Sequence, residues 1–223
     1  MILDLEIIKD PEISNRLIGG IIVFQNLECQ NKNIELWGAI QGLGNRYQEE
    51  FKSPSEALDK LKPARNLYRA VGIEPTRIRP SSEALFRRII KGKSLYQINS
   101  IVDAGNLASL SFLLPIGLYD KEKIQGSVIL RRGWEGESYH GIGKENVNVS
   151  GRITLADQDG PFGNPSSDSQ RTSIRINTRE VIMVIFAPID YSHDMLQQHL
   201  NLSQDIMLKY HTSGSMINQK IMI

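Results

Sequence analysis

The chain reads as a single α+β domain with a mixed β core and flanking helices. Three patterns predict this. Capped, helix-patterned segments crowd the stretch from Ile34 to Leu113. Glycine-punctuated segments of strand character follow from Gly126 onward. The run Val181 to Phe186 is continuously apolar, as in a strand covered on both faces. No internal repeat and no linker divides the 223 residues, a length that suits one large domain.

The elements follow in order. Met1 to Asp10 is apolar up to a proline and reads as a strand or short helix. Asn15 to Asn26, NRLIGGIIVFQN, is rich in β-branched residues and reads as a strand. Ile34 to Lys52 reads as a helix loosened near Gly42 and Gly44. Ser53 and Pro54 open a helix over SPSEALDKL, and Pro63 opens a second one that ends at Gly72. Pro75 and Pro80 bracket an extended basic segment. Ser81 or Ser82 then caps EALFRRIIKG, which stops at Gly92. Ser94 caps the next, mostly apolar segment. Asp120 to Gln125 is a turn, Gly126 to Arg132 a strand, and Gly133 to Gly143 a loop-rich β region. Ser150 to Ala156 is a further strand. Asp157 to Gln170 reads as one long polar loop, a length more often functional or mobile than inert. Ser192 caps a last helix to about Tyr210, and the tail from His211 carries no strong pattern.

Composition narrows the function classes. Hydrophobic residues make 40% and charged residues 23% of the chain, ordinary for a soluble globular protein. The longest apolar runs are far too short to span a bilayer. The opening MILDLEIIKDPE has acids within its apolar stretch and no basic leader, unlike a secretory signal. One cysteine, Cys29, forms no internal disulfide, and no histidine precedes residue 140 to activate it. A cytoplasmic protein is expected. Net charge is +1, yet the window Lys60 to Lys93 carries +8 and the remainder −7. A basic face of that kind fits a phosphate backbone, and equally fits a solvated helix pair whose arginines meet carboxylates elsewhere.

Common catalytic motifs are missing. The histidines lack metal-ligand spacing, and DQDG at Asp157 has no closing calcium-loop glutamate. Gly38, Gly42 and Gly44 fit no phosphate loop, and there is no GxSxG. Neither metal nor cofactor is expected. Three places remain for chemistry. The first is a polar row at helical spacing, Asn99, Asp103 and Asn106, in which each side chain needs a hydrogen-bond partner. The second is the glycine–proline turn Pro115 to Asp120. The third is the loop bearing Asp168, Gln170, Arg171 and Thr172.

An ordered series of segments then resembles a known family. It comprises IVDAGN (Ile101 to Asn106), LPIGLYD (Leu114 to Asp120), DKEKIQG (Asp120 to Gly126) and SVILRR (Ser127 to Arg132). EGE (Glu135 to Glu137), ITLADQDG (Ile153 to Gly160) and TREVIMVIFAP (Thr178 to Pro188) continue it. The series resembles the B3/B4 editing domain of bacterial phenylalanyl-tRNA synthetase β subunits. SSEALFRR (Ser81 to Arg88) extends the resemblance to free-standing B3/B4 proteins. It implies a single B3/B4-like domain over 1–223. Residues 1–76 would be an N-terminal extension, 77–190 the editing-like core, and 191–223 a C-terminal helix and tail.

The resemblance implies cleavage of an aminoacyl ester by water, with the tRNA acceptor end and the aminoacyl group as partners. Asn106, Asp168 and Gln170 are the expected catalytic residues. Asn99, Asp103, Gly105, Pro115, Gly117 and Thr172 are expected around the substrate, and Arg77, Arg79, Arg87, Arg88 and Lys91 along the RNA. Gly105 stands where the synthetase carries a threonine, Gly117 where it has a pocket histidine, and Gln170 near its selective glutamate. Those departures argue against a tyrosine-specific pocket and leave another aminoacyl group open. The leading expectation is a stand-alone protein that hydrolyses mischarged tRNA in trans. A non-catalytic RNA-binding module and a small-molecule hydrolase or amino-acid-binding protein are the alternatives.

Overall fold

A computed structural model describes residues 7–222. The expected opening element is therefore met only at β1, Ile7–Lys9, and residues 1–6 lie outside the described residues. The order continues with α1 (Pro11–Ser14), β2 (Leu17–Gln25), α2 (Ile34–Glu50), α3 (Leu58–Arg69), α4 (Ser81–Ile90), α5 (Ser100–Phe112) and β3 (Ile116–Asp120). Then come β4 (Val128–Arg132), β5 (Ser138–Gly141), β6 (Lys144–Asn148), β7 (Ile153–Asp157), β8 (Gly160–Gly163), β9 (Val181–Pro188), α6 (His193–Tyr210) and β10 (Ser215–Met222).

Two four-stranded sheets organise these elements. The first has the order β10-β2-β9-β3 with every neighbour antiparallel. The second has the order β1-β4-β7-β8, in which β1 and β4 run parallel. Alternation along β9 shows how the layers meet. Met183, Ile185 and Ala187 join the helices' core with Leu36, Phe86, Ile101 and Leu196. Ile182, Val184 and Phe186 face Leu130, Leu155 and Phe162 of the second sheet. β9 is buried along its whole length because both faces are covered, which explains its unbroken apolar sequence. The mixed α+β architecture matches the sequence reading.

Several local expectations are corrected. α2 runs unbroken through Gly42 and Gly44. A side chain at Gly42 would meet open space, and the buried row Leu36, Ile40, Leu43 and Tyr47 holds the helix against the core. Residues 54–57 are turns, and one helix, α3, replaces the two expected around Pro63. Leu61, Ala64, Leu67 and Tyr68 form a continuous buried face that carries α3 past the proline. Ser81 and Ser82 do not cap α4; Pro80 stands at its N-cap and no side chain bonds there. Pro115 to Asp120 is not a turn, since residues 116–120 form edge strand β3. The long polar loop is interrupted by β8, which pairs with β7. The tail forms β10 along β2, with a bulge between Met216 and Asn218 that breaks the alternation a sequence reader looks for. Among the described residues, no helix is long and apolar enough to cross a membrane.

Candidate functional site

The polar row of α5 divides at the helix's first turn. Ser94 does not start this helix. Asn99 is the N-cap, and its Oδ1 accepts from the Val102 N–H at 3.0 Å. Asp103 reaches back to accept from the Ile98 N–H at 3.1 Å, and burial raises its carboxyl above the usual range against that bond. Both side chains are therefore committed to the helix entry. Asn106, one turn further on, is half-buried and lines a cavity of about 290 Å³.

That cavity opens between α4, α5, the free edge of β3 and the segment 168–174. Its polar lining includes Ser81, Asn106 and Asp168. Leu85, Val102, Ile116, Leu118 and Ile174 supply apolar wall, and Ile142 leans in from the β5–β6 turn. Gly105 lies beside Asn106, and a Cβ there would sit 2.4 Å from Leu118 Cδ1. The glycine thus lets Leu118 pack down on α5. Gly117 faces away from the cavity. A Cβ there would sit 2.1 Å from the Tyr119 hydroxyl, and one at Gly163 would sit 2.3 Å from it. The two glycines form a slot for the fully buried Tyr119 ring, which packs edge-on against Phe162.

Asp168 sits where the slot meets the cavity. Its Oδ1 and the Tyr119 hydroxyl are sealed from solvent without a well-formed hydrogen bond, and each is the other's polar neighbour. Burial pushes the Asp168 carboxyl up to about 7, with the Tyr119 hydroxyl and the Leu118 amide pulling the other way. Ser81 Oγ, also in the lining, is a further buried oxygen without a partner among the described residues. The carrier loop is held from many sides. Asn164 Oδ1 accepts from the Ser166 and Ser167 amides at 2.8 and 3.0 Å. The Ile142 amide donates to the Asp168 carbonyl at 3.2 Å, and the Gln170 amide to the His140 carbonyl at 2.8 Å. The loop is a preorganised support.

Other expected site residues lie outside the cavity. Gln170 is exposed and does not line the cavity. Thr172 is buried; its carbonyl accepts from the Asp120 amide at 2.9 Å and its Oγ1 bonds Ser169 Oγ at 3.0 Å. The Pro115 carbonyl accepts from the Phe186 amide at 3.0 Å and ties β3 to β9. The sequence does not single out Ser81, nor Leu118 and Tyr119 within the Pro115–Asp120 stretch. Ser81 resembled a helix cap, and the Gly117–Tyr119 pair carried a small–large signal at strand spacing.

The basic set also divides. Glu83 is completely buried and receives Arg65 at 2.7 and 2.8 Å and Arg87 at 2.6 Å, with Arg79 at 3.7 Å. Burial opposes ionisation of Glu83, but the Arg65 and Arg87 guanidiniums overcome it and leave the carboxyl below its usual range. Arg88 donates to the Ser94 carbonyl at 2.6 Å and lies 4.2 Å over the exposed Tyr96 ring. Arg77 and Lys91 are exposed. Cys29 is half-buried and burial raises its thiol pKa, the opposite of what a nucleophile needs.

Residues 63–210 match the B3/4 domain family. The phenylalanine–tRNA ligase beta subunit of Neisseria meningitidis serogroup A is 26% identical over 129 residues, 55% of this chain and 16% of that subunit. The beta subunit of Bartonella quintana is 32% identical over 91 residues, 40% of this chain and 11% of the subunit. The matched part is thus a small share of those subunits. The fold is similar to an N-terminal fragment of the phenylalanyl-tRNA synthetase beta-subunit from Pyrococcus horikoshii. There the TM-score is 0.52 and the identity 12%, covering 99% of this chain and 55% of that one.

Proposed function

The chain belongs to the B3/4 domain family, and from that membership we propose that it binds tRNA and hydrolyses the ester of a mischarged aminoacyl group in trans. The observation that carries this reading is the meeting of Asn106 and Asp168 in one cavity, with an acid whose pKa of about 7 suits proton transfer at neutral pH.

The chemistry needs a nucleophilic water, a support for the oxyanion and a route for one proton. Ionised Asp168 takes a proton from the water as its oxygen attacks the ester carbonyl. The Asn106 amide donates to the oxyanion of the tetrahedral intermediate. The intermediate collapses, the bond to the ribose 3′-oxygen breaks, and protonated Asp168 returns its proton to that oxygen. Ser81 Oγ, in the same lining and without a partner among the described residues, is a further hydrogen-bonding group for the reacting water or the ribose. Arg77, Arg88 and Lys91 supply cations for acceptor-end phosphates. Arg79 and Arg87 act first on Glu83.

A panel of mischarged tRNAs tests the reading with the wild type, Asn106→Ala and Asp168→Asn. The wild type is expected to release the amino acid from at least one tRNA, and both variants to lose that activity while still binding tRNA. Binding without turnover by the wild type would replace the hydrolase with a binding module. Absence of tRNA binding even at low salt would overturn both.

A further inference from the structure

We infer that the cavity, if it holds the acyl ester as just proposed, selects amino acids with aliphatic side chains. The cavity lining is mixed. Asn106, Asp168 and Ser81 supply polar groups to it, and in the proposed reaction the ester lies against them. Leu85, Val102, Ile116, Leu118 and Ile174, from α4, α5, β3 and the segment that precedes β9, supply its aliphatic wall. No aromatic ring and no cation lines the cavity among the described residues.

Three glycines sharpen this shape. Without a side chain at Gly105, Leu118 occupies the space over α5 and extends the wall. Gly117 and Gly163 admit the chain's own Tyr119 phenol behind β3, against Asp168. The sealed space beside the acid is thus already filled by a phenol. Ser109 Oγ, also in the lining, donates to the Leu114 carbonyl at 2.7 Å.

An acyl chain fixed at Asn106 and Asp168 runs along the aliphatic wall. A charged or amide side chain placed against that wall loses its water, and the lining hydroxyls of Ser109 and Ser173 already donate to the Leu114 and Gln170 carbonyls. Among the described residues of the lining, a lysyl or arginyl group would find a counter-charge only in Asp168, which the ester already engages. A valyl, leucyl or isoleucyl side chain gains by burial, on the order of tenfold or more in kcat/KM over a small or polar one.

The test charges one tRNA body with isoleucine, valine, leucine, serine, aspartate, lysine, phenylalanine or tyrosine and measures deacylation of each. A parallel titration uses 3′-amide analogues carrying the same aminoacyl groups, which bind but do not hydrolyse. The aliphatic esters are expected to be cleaved at least tenfold faster in kcat/KM, and their amides to bind in the same order. Val102→Thr, nearly isosteric and half-buried, should erode that advantage mainly through KM. Cleavage without an aliphatic preference overturns this inference and leaves the hydrolase standing. Aliphatic-selective binding without cleavage keeps the inference and removes the hydrolase. Binding of no amide overturns the inference.

Discussion

Glu83, wholly buried, and Asp168, half-buried with its Oδ1 sealed from solvent, are acids near the start of α4 under opposite electrostatics. Glu83 is enclosed by guanidiniums and held ionised below its usual range. Asp168 has the Tyr119 hydroxyl and the Leu118 amide as neighbours, with no cation pairing it among the described residues, and burial pushes it up to about 7. A buried carboxylate that is paired fastens elements together, here α3 to α4. A buried carboxylate left without a cation changes protonation near neutral pH, which structure alone does not require and proton transfer does. The difference also divides the basic window, because Arg65 and Arg87 belong to the fastening and Arg77 and Lys91 do not.

Asp168→Asn should separate the two acids most sharply. Deacylation should fall by roughly 10²–10⁴-fold in single-turnover assays, with no loss of thermal stability. The folded state favours protonated Asp168. Wild-type stability therefore declines as pH rises from the ordinary aspartate range towards about 7. Unfolding midpoints at pH 5 and pH 8 should show the asparagine variant gaining on the wild type at the higher pH.

Glu83→Ala should do the reverse. It strands Arg65 and Arg87 in a mostly buried setting and should cost roughly 3–5 kcal/mol in urea unfolding. The folded-state pKa of Glu83 is depressed, so its contribution is present above the usual glutamate range and is lost as pH falls through the folded value. The penalty should shrink in acid, and activity per folded molecule should hold within a few-fold.

Tyr119→Phe should have a subtler effect. It keeps the ring between Gly117 and Gly163 but removes the hydroxyl that favours ionised Asp168. The acid limb of the pH–rate profile should move to higher pH, a change that loss of packing alone does not produce. The smallest effects belong to Arg77→Ala and Lys91→Ala. Each should weaken tRNA binding evenly across sequences and reduce the salt slope by about one, without changing stability. Arg87→Ala should instead lower stability.

The sequence displayed the α+β class, β2, β9 and α6 plainly, because apolar periodicity and the Ser192 cap are local signals. It displayed Asn106 and Asp168 as candidates, but not their division from Asn99 and Asp103. Whether an asparagine caps a helix or faces a cavity depends on where the first turn begins, and the apolar residues Leu95 and Ile98 made the helix look longer than it is. Glu83 as the partner of its neighbouring arginines was hidden because Arg65 comes from another helix. β10 was hidden by its bulge and half-buried pattern. The Tyr119 slot depends on Gly163, which is distant in sequence and meets the ring only through the contact of the two sheets.

The pH dependence of single-turnover deacylation, measured on an ester the wild type cleaves, tests the role of Asp168 most directly. The rate should climb through an apparent pKa near 7 and level off above it, and Asp168→Asn should lack that climb. A wild-type rate that is flat from pH 5.5 to 8.5, or an asparagine variant that retains both the rate and its climb, would contradict the assignment.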